Sequence, residues 1–465
     1  MSPSSPPPLA LYLHFPWCVR KCPYCDFNSH TLKGDLPEQA YVAALLADLA
    51  GQVEVARLAG RQIISIFLGG GTPSLFAPSA LDALLAGVHA MLPLAADVEI
   101  TLEANPGTIE RGRFAEYRAA GINRVSLGAQ SFGARQLALL GRIHAADDTR
   151  RAAAELHAAG LANFNLDLMY ALPEQDVAGA LADVEAALTL KPAHLSHYQL
   201  TLEPGTVFGG RPPQNLPDGD LAARMQNECQ QRLAAAGFAQ YEVSAYARAG
   251  RRCRHNLNYW RFGDYLGAGA GAHGKLSRPA EAGGLAIARS QREREPRRYL
   301  AHAAAEPPVW NAVPDAERPF EFMMNALRLV EGFAQPLFEQ RTGLAWSLIE
   351  PRMRELAAKG LLQKCVGGSA GAGADGGTVG DVGGSAGTDA GGGAGCAGAG
   401  GSVGAGAADS GAGGDASGDA GGDAVGDAEA RAGDDGPGAL RWRPTPLGLN
   451  FLNDVLTQFL PAAGG

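Results

Sequence analysis

Cys18, Cys22 and Cys25 stand in the run His14-Phe15-Pro16-Trp17-Cys18-Val19-Arg20-Lys21-Cys22-Pro23-Tyr24-Cys25-Asp26-Phe27. Their spacing is C-x3-C-x2-C, with an aromatic residue just before the third cysteine. Three thiolates this close can wrap one small metal centre, but a closed tetrahedral zinc site wants a fourth ligand. A [4Fe–4S] cube held by three thiolates leaves one iron without a protein ligand. The amino and carboxylate groups of a small molecule can chelate that open iron. Three readings compete with the cluster: buried structural cysteines, a zinc knuckle completed by a distant His or Cys, and an intramolecular disulfide. Nothing marks the chain as secreted, which weighs against the disulfide.

The elements that must position these thiols alternate. Leu9 to Phe15 reads as a strand, Glu38 to Leu58 as a helix, and Gln62 to Leu68 as a strand ending in Gly69-Gly70-Gly71-Thr72-Pro73. Ser79 to Leu92 is helical, and Val98 to Leu102 is a strand ending at Glu103. Further strands are expected at Arg124 to Leu127, Ala162 to Met169 and His194 to Leu200, with helices between them and over Leu221 to Ala236. Strict β-then-α order implies parallel strands with helical crossovers. In such barrels, ligands collect at the C-terminal strand ends. The cysteine loop, the glycines, Glu103, Gln130 and Asp167 all fall there. Six strands precede the change of pattern near residue 250. The expected fold is α/β, a partial (β/α)6 TIM-like barrel with a mainly helical, winged-helix-like C-terminal domain.

The expected domains are a disordered lead-in over 1–8, the barrel over 9–245, a connecting segment over 246–310, and a C-terminal domain over 311–465. In the last, Leu361 to Lys364 and Leu440 to Thr445 would form a hairpin, and Pro446 to Phe459 a final helix. Residues 366–439 interrupt that domain with 29 of the chain's 63 glycines and almost no large apolar side chain. Such a segment cannot offset its ordering entropy and reads as a solvated loop at the hairpin tip, with Cys396 inert inside it. It also carries ten Asp, one Glu and one Arg, so the net charge of −9 belongs to it. The remainder is near neutral, with no basic stripe that would argue for nucleic acid. The start lacks the basic and apolar regions of a secretory signal, and no apolar run could span a bilayer. Seven cysteines, three of them clustered, suit a reducing cytoplasm and a metal site.

The match extends beyond the thiols. It includes Tyr12-x-His14-x-Pro16-x-Cys18, Cys22-Pro23-Tyr24-Cys25-Asp26-Phe27-Asn28-Ser29-His30, Gly69-Gly70-Gly71-Thr72-Pro73, Glu103-Ala104-Asn105-Pro106 and Asp167-Leu168-Met169-Tyr170. It continues in His255-Asn256-Leu257-Asn258-Tyr259-Trp260 and Arg261 to Gly267. On these residues the chain resembles the oxygen-independent coproporphyrinogen III oxidase-like branch of the radical S-adenosylmethionine (SAM) proteins. The resemblance implies that Cys18, Cys22 and Cys25 ligate a [4Fe–4S] cluster, with Tyr12 nearby. It places Tyr24 beside the adenine of SAM, Gly70, Gly71 and Thr72 along its methionine part, and Glu103 on its ribose. Gln130, Arg142 and Asp167 match positions that contact SAM or a second SAM. Taken alone, the glycines are ordinary turn residues and the charges ordinary surface groups; their registered order behind the thiols gives them meaning.

Two departures separate the chain from the oxidase. The oxidase carries a further cysteine two positions after the third, where this chain has Phe27, and it has a longer region before the equivalent of Tyr12. Both features match the haem-chaperone subgroup of the branch and count against porphyrinogen decarboxylation. Haem iron takes an axial His, Tyr or Cys, and the macrocycle takes flat apolar surface. His255, Tyr259 and Trp260 supply both kinds of group; the competing reading packs them between barrel and C-terminal domain. Cys253 is an alternative ligand, and His197, Tyr198 and His273 line the barrel mouth or pack.

Three functions follow: a haem carrier delivering to acceptor proteins, a radical enzyme acting on porphyrinogen propionates, or a radical enzyme with an unrelated substrate. The implied partners are haem, its acceptor proteins and a small electron-transfer protein as reductant, with association to a membrane surface or a second copy also open.

Overall fold

The structure is a computed structural model that describes residues 6–58, 60–108, 113–280, 284–303, 306, 308–366 and 439–461. The expected solvated loop and Cys396 lie outside the described residues, as do the first five residues of the lead-in.

Strands β1 (Leu9–Phe15), β2 (Ile63–Gly70), β3 (Leu94–Ala104), β4 (Arg124–Gln130), β5 (Phe164–Tyr170) and β6 (His194–Gln199) pair in parallel, each with the next. Helices Glu38–Ala56, Pro78–Met91, Arg113–Ala119, Ala146–Ala158 and Val177–Thr189 make the crossovers. All seven residues of β1 are buried, as a strand covered on both faces requires. In β3 to β6 the outward residues Leu102, Val125, Leu127, Leu166, Leu168 and Leu195 join the main apolar core under the helices. The inward residues of those strands are mostly polar, because they face a cavity and not the stacked aliphatic layers of a filled barrel.

The sheet is larger than the sequence suggests. Short strands β7 (Ala239–Glu242) and β8 (Ala245–Ala247) extend it antiparallel beyond β6. Beyond β1 comes a seventh parallel strand, β9 (Asp264–Ala268), followed by antiparallel β10 (His273–Pro279), β11 (Leu285–Gln291) and β12 (Trp310–Ala312). Among the described residues these twelve strands form one open sheet. The six expected parallel strands are all present, and β9 adds a seventh on the far side of β1. The short run Asp264-Tyr265-Leu266-Gly267-Ala268 follows a seven-residue helix instead of a long amphipathic crossover, so the βα rhythm hides it.

A buried polar knot locks this addition to the barrel. Asp48, on the first helix, accepts hydrogen bonds from Arg292 Nε (3.1 Å), Tyr299 Oη (2.8 Å) and the Gly269 N–H (3.3 Å). On the same helix, Tyr41 donates to the His14 carbonyl (2.7 Å) and accepts from the Ala270 N–H (3.0 Å). The end of β1, where the cysteine loop begins, is thereby fixed.

A second apolar core gathers Phe322, Phe333, Phe338, Trp346, Met353 and Trp442. It lies under helices Arg318–Ala326, Gln335–Thr342 and Glu350–Ala358 and a small sheet. In that sheet, β14 (Leu362–Val366) pairs antiparallel with β15 (Leu440–Pro444) over the expected hairpin. A third strand, β13 (Phe333–Ala334), lies on the other side of β15. The expected final helix is broken at Phe451 (φ −111°, ψ 33°) into Pro446–Asn450 and Leu452–Thr457.

Candidate functional site

One cavity of about 420 Å3 opens at the C-terminal ends of the strands. Cys18, Cys22 and Cys25 stand at its mouth, all half-buried. Among the described residues, no three His, Cys, Asp or Glu side chains converge as they would around a single metal ion. The thiols have donors directed at them. Arg142 Nη1 lies 3.5 Å from Cys22 Sγ, and Ser29 Oγ lies 3.6 Å from Cys25 Sγ. Burial pushes the Cys18 thiol up to about 11 and raises Cys25, so both stay protonated until something coordinates them. Three open sulfurs with a guanidinium beside them, its Nε buried without a partner, fit an anionic iron–sulfur cluster.

The glycine loop is zipped to the cysteine loop. The Gly71 N–H donates to the Phe15 carbonyl (2.6 Å) and the Thr72 N–H to the Trp17 carbonyl (2.8 Å). A Cβ on Gly71 would lie 2.6 Å from the Trp17 oxygen and 2.7 Å from the Phe15 oxygen, so only glycine fits. Gly70 has φ +111° and its N–H donates to Glu103 Oε2 (2.9 Å). Burial pushes the Glu103 carboxyl up to about 8, with the Gly70 N–H opposing and Asp167 adding to the rise. Asp167 accepts from Ser126 Oγ (3.0 Å) and Asn165 Nδ2 (2.8 Å) and is also raised by burial. Gln130 sits at φ +67°, a conformation non-glycine residues adopt at a cost, and accepts a bond from the Tyr198 hydroxyl. Arg142 Nη2 donates to the Gly128 carbonyl (2.8 Å). Tyr24 packs with Tyr198, Leu140, Met169 and Phe208 at the rim.

Tyr12 donates to His14 Nδ1 (3.0 Å), and His14 Nε2 bonds the Asn28 carbonyl (2.9 Å). Burial pushes His14 down to about 4, so the imidazole is neutral and links β1 to the loop after Cys25. His14 is a site residue that the family motif contains but to which the sequence reading gave no role.

His255 and Tyr259 face the same cavity as the thiols. They lie four residues apart on helix Arg254–Trp260, hence on one face. The His255 ring is enclosed: Nδ1 is 3.1 Å from Ser65 Oγ, Nε2 is 2.9 Å from Tyr259 Oη, and Phe67 lies 5.1 Å away. Burial pushes it down to about 3. Trp260 does not join them. One further helical step turns its side chain about 100° away, into an apolar cluster with Tyr241, Leu257 and Leu329, under the Arg328 guanidinium. Of the three expected haem contacts, His255 and Tyr259 line the cavity and Trp260 does not. Cys253, Tyr198 and His273 also line the cavity, whereas His197 packs on Tyr170.

The inner polar layer of Thr101, Arg124, Ser126, Asn165, His194 and Ser196 was missed in the sequence. Its signal was present in the alternation Thr101-Leu102-Glu103, Arg124-Val125-Ser126, Asn165-Leu166-Asp167 and His194-Leu195-Ser196. Polar residues at every second position mark a strand face that meets a cavity.

Comparison with known proteins decides the family. The radical SAM superfamily model matches residues 12–187, and the HemN C-terminal domain model matches residues 313–364. The chain is 51% identical over 359 residues to the heme chaperone HemW of Escherichia coli, covering 77% of this chain and 93% of that one. The chain belongs to the HemW family of radical SAM proteins. Another HemW, from Haemophilus influenzae, is 48% identical over 74% of this chain and 88% of its own. The solved coproporphyrinogen III oxidase HemN from Escherichia coli superposes with a TM-score of 0.64 at 21% identity, over 78% of this chain and 86% of that one, and so shares the fold. A [4Fe–4S] cluster and SAM go with membership of the superfamily. In this HemW-family chain the thiol trio, the glycine loop, Glu103 and Asp167 all line one cavity. No helix among the described residues is long and apolar enough to cross a membrane.

Proposed function

We propose that this chain is a haem chaperone: it binds haem in the barrel cavity and passes it to acceptor proteins. The observation that carries the reading is that His255 and Tyr259 open on the same cavity as Cys18, Cys22 and Cys25. In this reading Cys18, Cys22 and Cys25 hold three irons, and Gly70, Gly71, Thr72, Glu103, Gln130, Arg142 and Asp167 hold SAM, with Tyr12 and Tyr24 beside them. When bound, cluster and SAM supply one-electron chemistry. His255 offers haem iron a neutral imidazole, and Tyr259 packs beside it. A small electron-transfer protein reduces the cluster, in a cytoplasmic setting. Support also comes from Phe27, which stands where the oxidase resembled in sequence has a further cysteine.

Anaerobic titration of reconstituted protein with haem, read by absorbance, tests the proposal. Wild type should saturate at one haem, His255→Ala should lose binding, and coproporphyrinogen III should remain unconverted under reducing conditions with SAM. Turnover of that porphyrinogen, or unchanged haem binding in His255→Ala, would overturn it.

A further inference from the structure

The cavity continues below the groups placed on the cluster and SAM: Thr101 lies two residues before Glu103 on β3, about 7 Å down the strand at 3.3 Å per residue. Arg142 grips the carbonyl of Gly128 at the mouth. Arg124 lies four residues earlier on β4, about 13 Å down the strand at 3.3 Å per residue. Thr101 is its register partner on β3. Both line the cavity, and both are almost fully buried, at 0% exposure for Thr101 and 2% for Arg124.

Their polar atoms are not satisfied by the protein. Thr101 Oγ1 and Arg124 Nε have no hydrogen-bond partner among the described residues. Arg124 Nη1 makes one long bond, 3.3 Å to Asn163 Oδ1. Glu99 and Asp167 act on this guanidinium through space, but neither is among its hydrogen-bond partners in the described residues. Glu99 Oε1 accepts from the His255 N–H (3.1 Å) and meets Cys253 Sγ (3.6 Å). Asp167 accepts from Ser126 and Asn165. An idle buried guanidinium N–H beside an idle hydroxyl costs free energy until an acceptor in the cavity satisfies them. A planar fork suits a carboxylate better than a spherical ion. Glu99 reaches the backbone of His255, so this inner end lies next to the helix that carries the proposed iron ligand.

We propose that Thr101 and Arg124 form a carboxylate subsite at the inner end of the cavity, which receives a propionate side chain of the bound haem. The assignment rests on the haem reading of the same cavity.

The test compares haem with haem dimethyl ester, whose propionates are masked, in titrations of the full chain. Wild type should bind the free acid about ten- to a hundredfold more tightly than the ester, the range expected for charge-assisted hydrogen bonds. Thr101→Val, nearly isosteric and uncharged, and Arg124→Lys should both narrow that ratio while leaving ester affinity unchanged. The wild-type comparison needs no variant, so misfolding of Arg124→Lys cannot shield the idea. Equal affinity for acid and ester in wild type, or a ratio undiminished in Thr101→Val, would overturn the subsite while leaving haem binding intact. Absence of any haem binding in wild type would instead overturn the haem reading, and the subsite with it.

Discussion

Glu103 is the group whose titration should leave the clearest mark on this protein. Its carboxyl is buried against the Gly70 N–H, with Asp167 as its charged neighbour. In the unfolded chain it ionises near its ordinary value of 4.5; in the fold it holds its proton up to about 8. Between those values folding takes up a proton, so stability falls as pH rises through the window and levels off beyond about 8. At about 1.4 kcal/mol per pH unit, the ceiling on the loss is about 5 kcal/mol. Asp167 and Asp48 are raised by burial as well, so the total slope is not Glu103's alone. The informative quantity is the difference between wild type and Glu103→Gln, which keeps an oxygen to accept from Gly70 but has no proton to lose. Urea unfolding of metal-free protein from pH 5 to 8.5 should give a steeper decline for wild type. If the two slopes coincide, Glu103 is ionised in the fold and the burial argument is wrong. With the ribose of SAM on Glu103, as proposed, SAM binding is proton-linked. At pH 7 a carboxyl titrating near 8 is about nine-tenths protonated. A ribose that donates to it would displace that proton, and calorimetry in buffers of different ionisation enthalpy should detect close to one proton released per SAM in wild type and far less in Glu103→Gln.

Other perturbations test the scaffold. Gly71→Ala puts a methyl group against two backbone oxygens; it should cost about 1–3 kcal/mol by thermal unfolding and weaken SAM binding more than tenfold. Arg292→Met leaves the buried Asp48 without its cation; it should destabilise the chain by about 3–5 kcal/mol in urea, with part of the loss recovered by Asp48→Asn. Replacing Cys18, Cys22 or Cys25 with Ala should abolish the iron–sulfur absorbance after anaerobic reconstitution, while Cys229→Ala, buried in the barrel core, should leave it intact.

Much of the site was legible because its parts are short and local. A thiol trio, a glycine run and single polar residues at strand ends can be read without knowing the fold, and the barrel rule then collects them. What was not legible depended on direction. Trp260 adjoins Tyr259 in sequence, yet the helix buries it inside an apolar cluster that Tyr259 only borders, away from the cavity. Asp264 to Ala268 is a strand only because β1 offers an edge to pair with, and five residues carry too little periodicity to reveal that. Phe333 and Ala334 become a strand only through pairing with Trp442 and Arg441, more than a hundred residues away. The polar inner layer was readable in principle, but reading strands as apolar runs attends to the core face and passes over the cavity face.

The enclosed state of His255 bears directly on its proposed role. Both ring nitrogens are engaged, so iron can reach Nε2 only if the bond to Tyr259 opens. Opening one neutral hydrogen bond costs about 0.5–1.5 kcal/mol, well within what an iron–imidazole bond returns. Proton loss adds nothing, since a ring pushed down to about 3 is already neutral at physiological pH. Tyr259 is a poor ligand itself, because burial raises its hydroxyl well above 10 and disfavours the phenolate. Its hydroxyl is then a competitor for the histidine and not a donor to the metal. Tyr259→Phe should therefore tighten haem binding about two- to tenfold, with affinity flat between pH 6 and 8. Weaker binding in that variant would mean that the phenol contacts the iron directly, and that His255 is held for packing alone.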